Sequence, residues 1–429
     1  MLWAERCFPI VTLTDGLIMK RFILCLLLLL GSLTAVRTAT AQSYGIELHN
    51  NMMPASGAMG GASLSRPQDL QSAINGNPAT MAQFSGPTFG FGGALIEPTY
   101  NVTQTDSLPL VGVDPYSAKS DAPLALAPNI GAIHQTEFLG LPVTFGLGFM
   151  TNAGLAVDFR HIPESNGTQA SYLALDLVSG AAVNLTPRLA VGGSFTLGTS
   201  VLDGPFVQSS SSQTDYATRF TLGANYDLGR GTSIGGYWQS EKQLEFDNVV
   251  RFATGPLANT YQDLNLDHPM NVGLGIANRC MMGGRLLLAA DVIYKNWDDT
   301  DFFRSLYHDQ WAFQFGGQYR ATRRLKLRFG YAFNEDPTRD AVPGTIGGVV
   351  PVGGIPSVQY VQGQFAAIAQ HRITGGVGIT NLVPNMNFDV TVGGVFENDK
   401  SFGDTTAKVD GYFIAFGFTF HCPRGGCGG

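Results

Sequence analysis

The sequence is poor in charge. Only 14% of its 429 residues are Asp, Glu, Lys or Arg, against roughly 25% in ordinary soluble domains. A net charge of −7 leaves no basic footprint, so a nucleic-acid partner is not expected. Histidine is scarce at 7 residues, and no H-E-x-x-H run occurs. Without a legible nucleophile–base pair, catalysis is not expected. The 5 cysteines show no zinc-type spacing, so neither a metal nor another cofactor is expected. Long apolar runs are also missing beyond the first forty residues, and the mean hydropathy of +0.08 is too low for a bundle of membrane helices.

Glycine (54) and phenylalanine (28) are abundant instead. Much Gly and Phe with few charges and no long apolar run suits β-structure that turns one face to an apolar solvent.

One segment differs. Met19-Lys20-Arg21 precedes "FILCLLLLLGSLTAV", then "TATA" and Gln42. A basic start, a short apolar core and small residues at Ala39 and Ala41 read as a secretory signal peptide over 1–41, with Met19 as its natural start. As a membrane anchor the core is short of the ~20 residues that span a bilayer. Cys25 is no lipid-attachment site, because the apolar run continues past it. Cys422 and Cys427 in "HCPRGGCGG" either close a small loop in an oxidising compartment or lie in an unstructured tail, 421–429.

Beyond residue 85 one unit repeats: about ten residues alternating apolar with small or polar, then a turn. In "GYFIAFGFTF", Tyr412, Ile414, Phe416, Phe418 and Phe420 share one face, and Phe413, Ala415, Gly417 and Thr419 the other. Candidate strands lie near 87–102, 126–137, 141–151, 169–184, 188–201, 214–228, 231–246, 268–279, 285–297, 309–321, 323–336, 368–381, 386–397 and 409–420. Short turns ("FLGLP", "NLTPR", "LGRG", "RATRR", "NLVPN") alternate with longer loops near 103–125, 152–168, 247–266 and 337–367. An even strand count with short turns at one end and long loops at the other predicts an all-β fold, a fourteen-stranded antiparallel transmembrane barrel over 86–420. Tyr294, Trp297, Trp311, Tyr319 and Tyr412 suit interfacial girdles. A monomer in outer-membrane lipid is expected, assembled by the barrel-assembly machinery.

A barrel of this size encloses more than side chains fill, so the lumen is a channel or is plugged. Inward positions include Arg219, Asp291, Lys295, Gln314, Gln318, Lys326, Arg328, Arg372 and Asp389, most of them expected in a mutual polar network. Residues 42–85 lack a strand pattern and are the natural plug. Ile46, Leu48, Met52, Met53 and Met59 supply it with adaptable apolar surface for a ligand. In "NGNPATMAQF", Pro78 fixes its own φ and biases Asn77 away from helix.

The stretch "MMPASGAMGGASLSRPQDLQSAINGNPATMAQFSGPTF" resembles the N-terminal hatch of the FadL/TodX family of outer-membrane transporters for long-chain fatty acids and aromatic hydrocarbons. "APNIGAIHQTEF", "GLGFMTNAGLAVDF", "HPMNVGLGIANR", "LLLAADVIYKNWDD" and "RATRRLKLRFGYAFNEDP" resemble family barrel segments in the same order. The resemblance implies a hatch-plugged barrel whose kinked third strand opens a lateral gap for hydrophobic substrate. It places that kink near Gly154-Leu155-Ala156, where small residues allow a bend, and Asn77-Pro78-Ala79 next to the gap. Two features depart from the family pattern. The 202–213 loop is short and polar, which puts an external capture groove in doubt. The 337–367 loop is long and apolar, either a ligand surface or, as the plainer expectation, a loose loop.

The function expected is passive uptake of hydrophobic small molecules, with a polar porin and an outer-membrane enzyme as the competing readings. A fatty-acid carboxylate would want a cation, for which Arg219, Lys326, Arg328 and Arg372 are the candidates; a neutral hydrocarbon needs none.

Overall fold

A computed structural model describes residues 46–203, 212–251, 260–346 and 354–421. The leader, residues 42–45, Cys422, Cys427 and most of the 202–213 loop lie outside the described residues.

The chain alternates because it is a closed barrel of 14 antiparallel strands. They are β1 (Thr88–Gln104), β2 (Ala125–Phe138), β3 (Leu141–Asp158), β4 (Gln169–Asn184), β5 (Leu189–Asp203), β6 (Gln213–Gly229) and β7 (Thr232–Gln239), then β8 (Met270–Cys280), β9 (Leu286–Asn296), β10 (Gln310–Arg320), β11 (Leu325–Asn334), β12 (His371–Val383), β13 (Met386–Phe402) and β14 (Thr405–His421). Neighbours in sequence are neighbours in the sheet, and β14 pairs β1 from Thr88↔His421 to Gln104↔Thr405. Pairing of the last strand with the first closes the sheet, as a membrane-spanning sheet requires.

The outward set carries the large apolar side chains. In β14, Tyr412, Ile414 and Phe420 are exposed while Phe413 and Ala415 are buried. Phe418 also faces outward, but Phe91 and Phe388 cover it at ring separations of 5.2 and 4.8 Å. The inward positions read from the sequence face the lumen: Arg219, Asp291, Lys295, Gln314, Arg328, Arg372 and Asp389 are all buried, and Gln318 and Lys326 are half-buried.

Short turns at 139–140, 185–188, 230–231, 281–285, 321–324 and 384–385 lie at one end. Connections at 105–124, 159–168, 240–269, 297–309 and 335–370 lie at the other. The exception is the tight Gly403–Asp404 hairpin on the long-loop side. Three long loops contain structure that periodicity did not announce: a short strand Tyr116–Lys119 that pairs Asn101–Gln104 of β1, a hairpin of Glu245–Arg251 with Tyr261–Asn265, and a helix at Ile355–Gln364 that buries Val358, Tyr360 and Val361. The described part of 337–367 is therefore packed rather than loose. Its apolar residues join Tyr100, Tyr116, Phe159, Phe302, Phe303, Tyr307 and Phe365 in one core above the lumen.

Residues 46–84 fill the space inside the strands. Short helical turns form at Gly57–Met59, Leu70–Asn75 and Pro78–Gln83, and Asp69 ties the first two together. Its carboxylate accepts from the N–H of Ala55 (2.9 Å), Ser56 (2.7 Å) and, as a helix cap, Ser72 (2.8 Å). The wall approaches this plug through glycines. A Cβ on Gly330 would sit 2.0 Å from Gly60 N, one on Gly316 2.4 Å from Met59 O, and one on Gly235 2.3 Å from Leu64 O. Much of the glycine content thus follows from backbone meeting backbone inside the barrel.

Candidate functional site

The ladder between β2 and β3 is incomplete. It runs from Phe138↔Leu141 to Asn129↔Met150 and ends there, although β3 continues to Asp158 and pairs β4 throughout. The cause lies in one residue. Thr151 pairs Leu175 and Ala153 pairs Ala174, so Asn152 is an extra residue without a partner on β4, a β-bulge. Bulges bend the strand that carries them. Beyond this one, residues 151–157 are buried on both faces, whereas an ordinary barrel strand alternates.

What is left is a stretch of wall without a β2–β3 ladder, called the window below. Its sides are Ala125–Pro128 of β2 and the far half of β3. Its floor is the Asn129↔Met150 pair. Its roof is the β1–β2 loop, where Asp121 N–H donates to Asp158 O at 2.9 Å and Asp158 N–H donates to Ser120 Oγ at 3.0 Å. Pro128 lacks an N–H, and its carbonyl accepts from Thr151 Oγ1 at 3.1 Å. The sequence-based kink at Gly154-Leu155-Ala156 falls inside the bent segment, two residues beyond the bulge. Expecting 152–158 to be loop was wrong, because burial on both faces erases the alternation by which a strand is recognised.

The start of the plug stands behind the window. Leu48 N–H donates to Asn152 O at 2.8 Å, and Leu48 and Met52 pack against Ala125 and Ala127. Asn77-Pro78-Ala79 is elsewhere. The Asn77 amide donates to Leu64 O (2.8 Å) and to Ala224 O of β6 (2.9 Å), while its oxygen accepts from Ala79 N–H (3.1 Å). The turn is an internal clasp against β6, not a neighbour of the gap. Met53 joins a cluster with Leu70, Ile74 and Met81, and Met59 one with Ala62 and Leu287, so these two methionines are plug core.

Charge fixes the plug's first turn. Glu47 is fully buried and accepts from Arg219 Nη1 (2.9 Å) and Asn271 Nδ2 (3.0 Å), with His268 Nδ1 at 2.7 Å. Burial alone pushes this carboxyl up, but Arg219 and His268 more than offset it and hold it well below the usual carboxylate range. A second buried pair, Lys242 Nζ to Asp176 at 2.8 Å, stands beside the bulge, and Asp176 also accepts from Asn152 Nδ2 at 2.9 Å. Neither Glu47 nor Lys242 was singled out from the sequence. A charged residue in an apolar run such as "SYGIELHN" was the available signal.

Between Glu47's segment and the apolar core of the loops lies a cavity of about 60 Å³. Ile46, Leu48, Leu155, Trp297, Tyr307 and Phe365 give it an apolar wall, and Lys295 and Arg372 a cationic one. Lys295 Nζ lies 3.4 Å from Glu47 O. The other expected cations are not at this cavity. Arg219 is held by Glu47, Arg328 donates to Asp389 (2.6 Å) and Gln318 (2.8 Å), and Lys326 sits next to the short 321–324 turn.

Residues 34–204 match the family model described as "Outer membrane protein transport protein (OMPP1/FadL/TodX)". No curated protein matches the sequence. The fold is shared with solved structures at low identity. The Pseudomonas putida toluene transporter TodX superposes with a TM-score of 0.62 at 16% identity, over 89% of this chain and 99% of that one. The Ralstonia pickettii toluene transporter TbuX gives 0.60 at 17%, over 86% and 98%. A Pseudomonas aeruginosa FadL homologue gives 0.61 at 15%, over 89% and 99%.

Proposed function

We propose, from the premise that the chain is an outer-membrane β-barrel of the FadL/TodX type, that it takes up hydrophobic small molecules passively and releases them sideways through the β2–β3 window. The observation that supports the reading is the bulge at Asn152, beyond which β3 no longer pairs with β2. Straight passage along the axis is closed by residues 46–84, so a solute in the apolar upper lumen has the window as its way out.

The cavity behind the window is far below the ≈ 300–1,000 Å³ of ordinary ligand pockets. Substrate must therefore displace something, and the segment Ile46–His49 is what separates the cavity from the window. Binding by area alone, at roughly 25 cal/mol per Å² of apolar surface, suits an apolar wall. Lys295 and Arg372 add a place for a carboxylate. Long-chain acids and aromatic hydrocarbons both fit this description, and the two cations favour the acid. A polar porin fits less well, since the lumen is filled.

Uptake of labelled oleate, toluene and a small sugar into transporter-deficient cells expressing residues 19–429 tests the reading. Accumulation of oleate or toluene without sugar supports it. Free accumulation of sugar with no gain for either apolar solute replaces it with the porin reading.

A further inference from the structure

The short-turn end carries a charge pattern that transport does not use. The β6–β7, β8–β9 and β10–β11 turns hold Arg230, Arg279, Arg285, Arg320, Arg323 and Arg324, and no acidic residue occurs in 229–232, 278–286 or 320–325. All six are exposed. The turns abut one another. Arg279 N–H donates to Gly231 O at 3.0 Å, Arg320 N–H donates to Arg285 O at 2.8 Å, and Arg285 Nη2 donates to Ala321 O at 2.8 Å. Six arginines against Asp227 at the base of the β6–β7 turn leave the rim net positive, so it favours an anion as its partner.

The lipid-facing wall directly above this rim is hollowed. A groove of about 870 Å³ runs across β6–β10. Its bottom is made by small outward residues, Ala224, Gly236 and Ala290. Leu222, Trp238, Leu274, Ile276, Phe313 and Phe315 stand around it. The groove begins four residues from the rim at Tyr226 and three at Ile276, about 10–13 Å at the rise of a strand. That is the depth at which acyl carbons follow a headgroup layer several Å thick. Two features add apolar and aromatic surface to the rim itself. The Arg285 guanidinium lies 5.1 Å from the centre of the Tyr319 ring, and Met281 and Met282 are exposed on the same turn.

We infer that this sector binds one anionic phospholipid of the inner leaflet, its phosphate on the arginine rim and an acyl chain in the groove. Charge selects the headgroup, because phosphate accepts hydrogen bonds from guanidinium in a fork geometry. The absence of side chains at Gly236 and their brevity at Ala224 and Ala290 make room for the chain. An acidic soluble protein would match the rim alone and would leave the groove unexplained.

Native mass spectrometry of the purified full chain in neutral detergent tests this, with dioleoylphosphatidylglycerol and dioleoylphosphatidylcholine as probes. Wild type is expected to retain one phosphatidylglycerol about tenfold more tightly than phosphatidylcholine. The triple variant Arg230→Gln, Arg323→Gln, Arg324→Gln is expected to abolish that preference, and Ala224→Phe to weaken both lipids. Glycerophosphoglycerol, the headgroup without chains, is expected to compete poorly. Heat-modifiability on gels verifies that each variant is a folded barrel. Equal retention of the two lipids by wild type, or an undiminished preference in the triple variant, overturns the headgroup assignment. Unchanged binding in Ala224→Phe, or effective competition by the headgroup alone, overturns the seat in the groove.

Discussion

Asn152 O accepts the N–H of Leu48 at 2.8 Å. One hydrogen bond thus joins the bulge that opens the wall to the plug segment that stands behind it. On the proposed lateral route, a substrate passing Leu48 would break this contact, so bulge and plug would respond together.

The clasp at Asn77 is expected to seal rather than to gate. Asn77→Ala removes two amide bonds to backbone carbonyls and the cap on Ala79, a loss of about 1–3 kcal/mol for buried groups left unpaired. The plug should loosen against β6 while the window stays intact. Raised ion conductance in planar bilayers, with hydrophobic uptake largely retained, is the expected result.

Glu47→Gln leaves Arg219 buried without its counter-charge, a change of about 3–5 kcal/mol in comparable broken pairs. The segment around Ile46–Met52 should exchange amide hydrogens faster, while β6 remains protected. The pH dependence has a definite sign. Glu47's pKa is lower in the folded protein than in the unfolded chain, so its contribution is present above the unfolded value and is lost as pH falls through the folded one. Acid should therefore lower the protection factors of this segment in wild type, measured against the intrinsic exchange rate at each pH, and this part of the acid response should be absent from Glu47→Gln.

Gly330→Ala places a Cβ where Gly60 N already lies 2.0 Å away. Backbone cannot yield as a side-chain tip can, and overpacking of this kind costs about 1–3 kcal/mol or more. A lower temperature for the heat-modifiability transition is expected. Gly140, with open space around its Cβ position, is no matched control because its φ is +75°.

The barrel was legible because thirteen of its strands keep the two-residue period through most of their length, as in β14, where lipid and lumen demand opposite side chains. The thirteenth and fourteenth strands run further into solvent than periodicity indicated, since polar residues on both faces of Glu397–Phe402 and Thr405–Lys408 hide the pattern. β3 was half legible for the opposite reason, burial on both faces. The site was less legible still. Asn77 stands out as Asn-Pro-Ala, but its role is to bond β6, which the local sequence does not encode. Arg372 was identified and Lys295 was placed inward, yet their meeting at one cavity depends on pairing across the lumen. Nothing within "VIYKNW" or "QHRITG" announces it.

If the cavity serves a carboxylate, Lys295→Met should weaken oleate binding about tenfold, the ~1.4 kcal/mol of one charge-assisted hydrogen bond, and leave toluene unaffected. Equal losses for both ligands would mean that Lys295 shapes the cavity without meeting a charged head. Equilibrium binding to purified protein separates these outcomes.

Deleting Asn152 tests the central claim most directly. Without the extra residue β3 can stay in register with β4 and continue its ladder with β2, which closes the window. Asn152→Ala, which keeps the bulge and loses only the side-chain bond to Asp176, is the control. At matched levels of folded barrel, uptake of the hydrophobic solute that wild type carries should collapse in the deletion and persist in Asn152→Ala. Undiminished uptake in the deletion would contradict lateral release and return the route to the barrel axis.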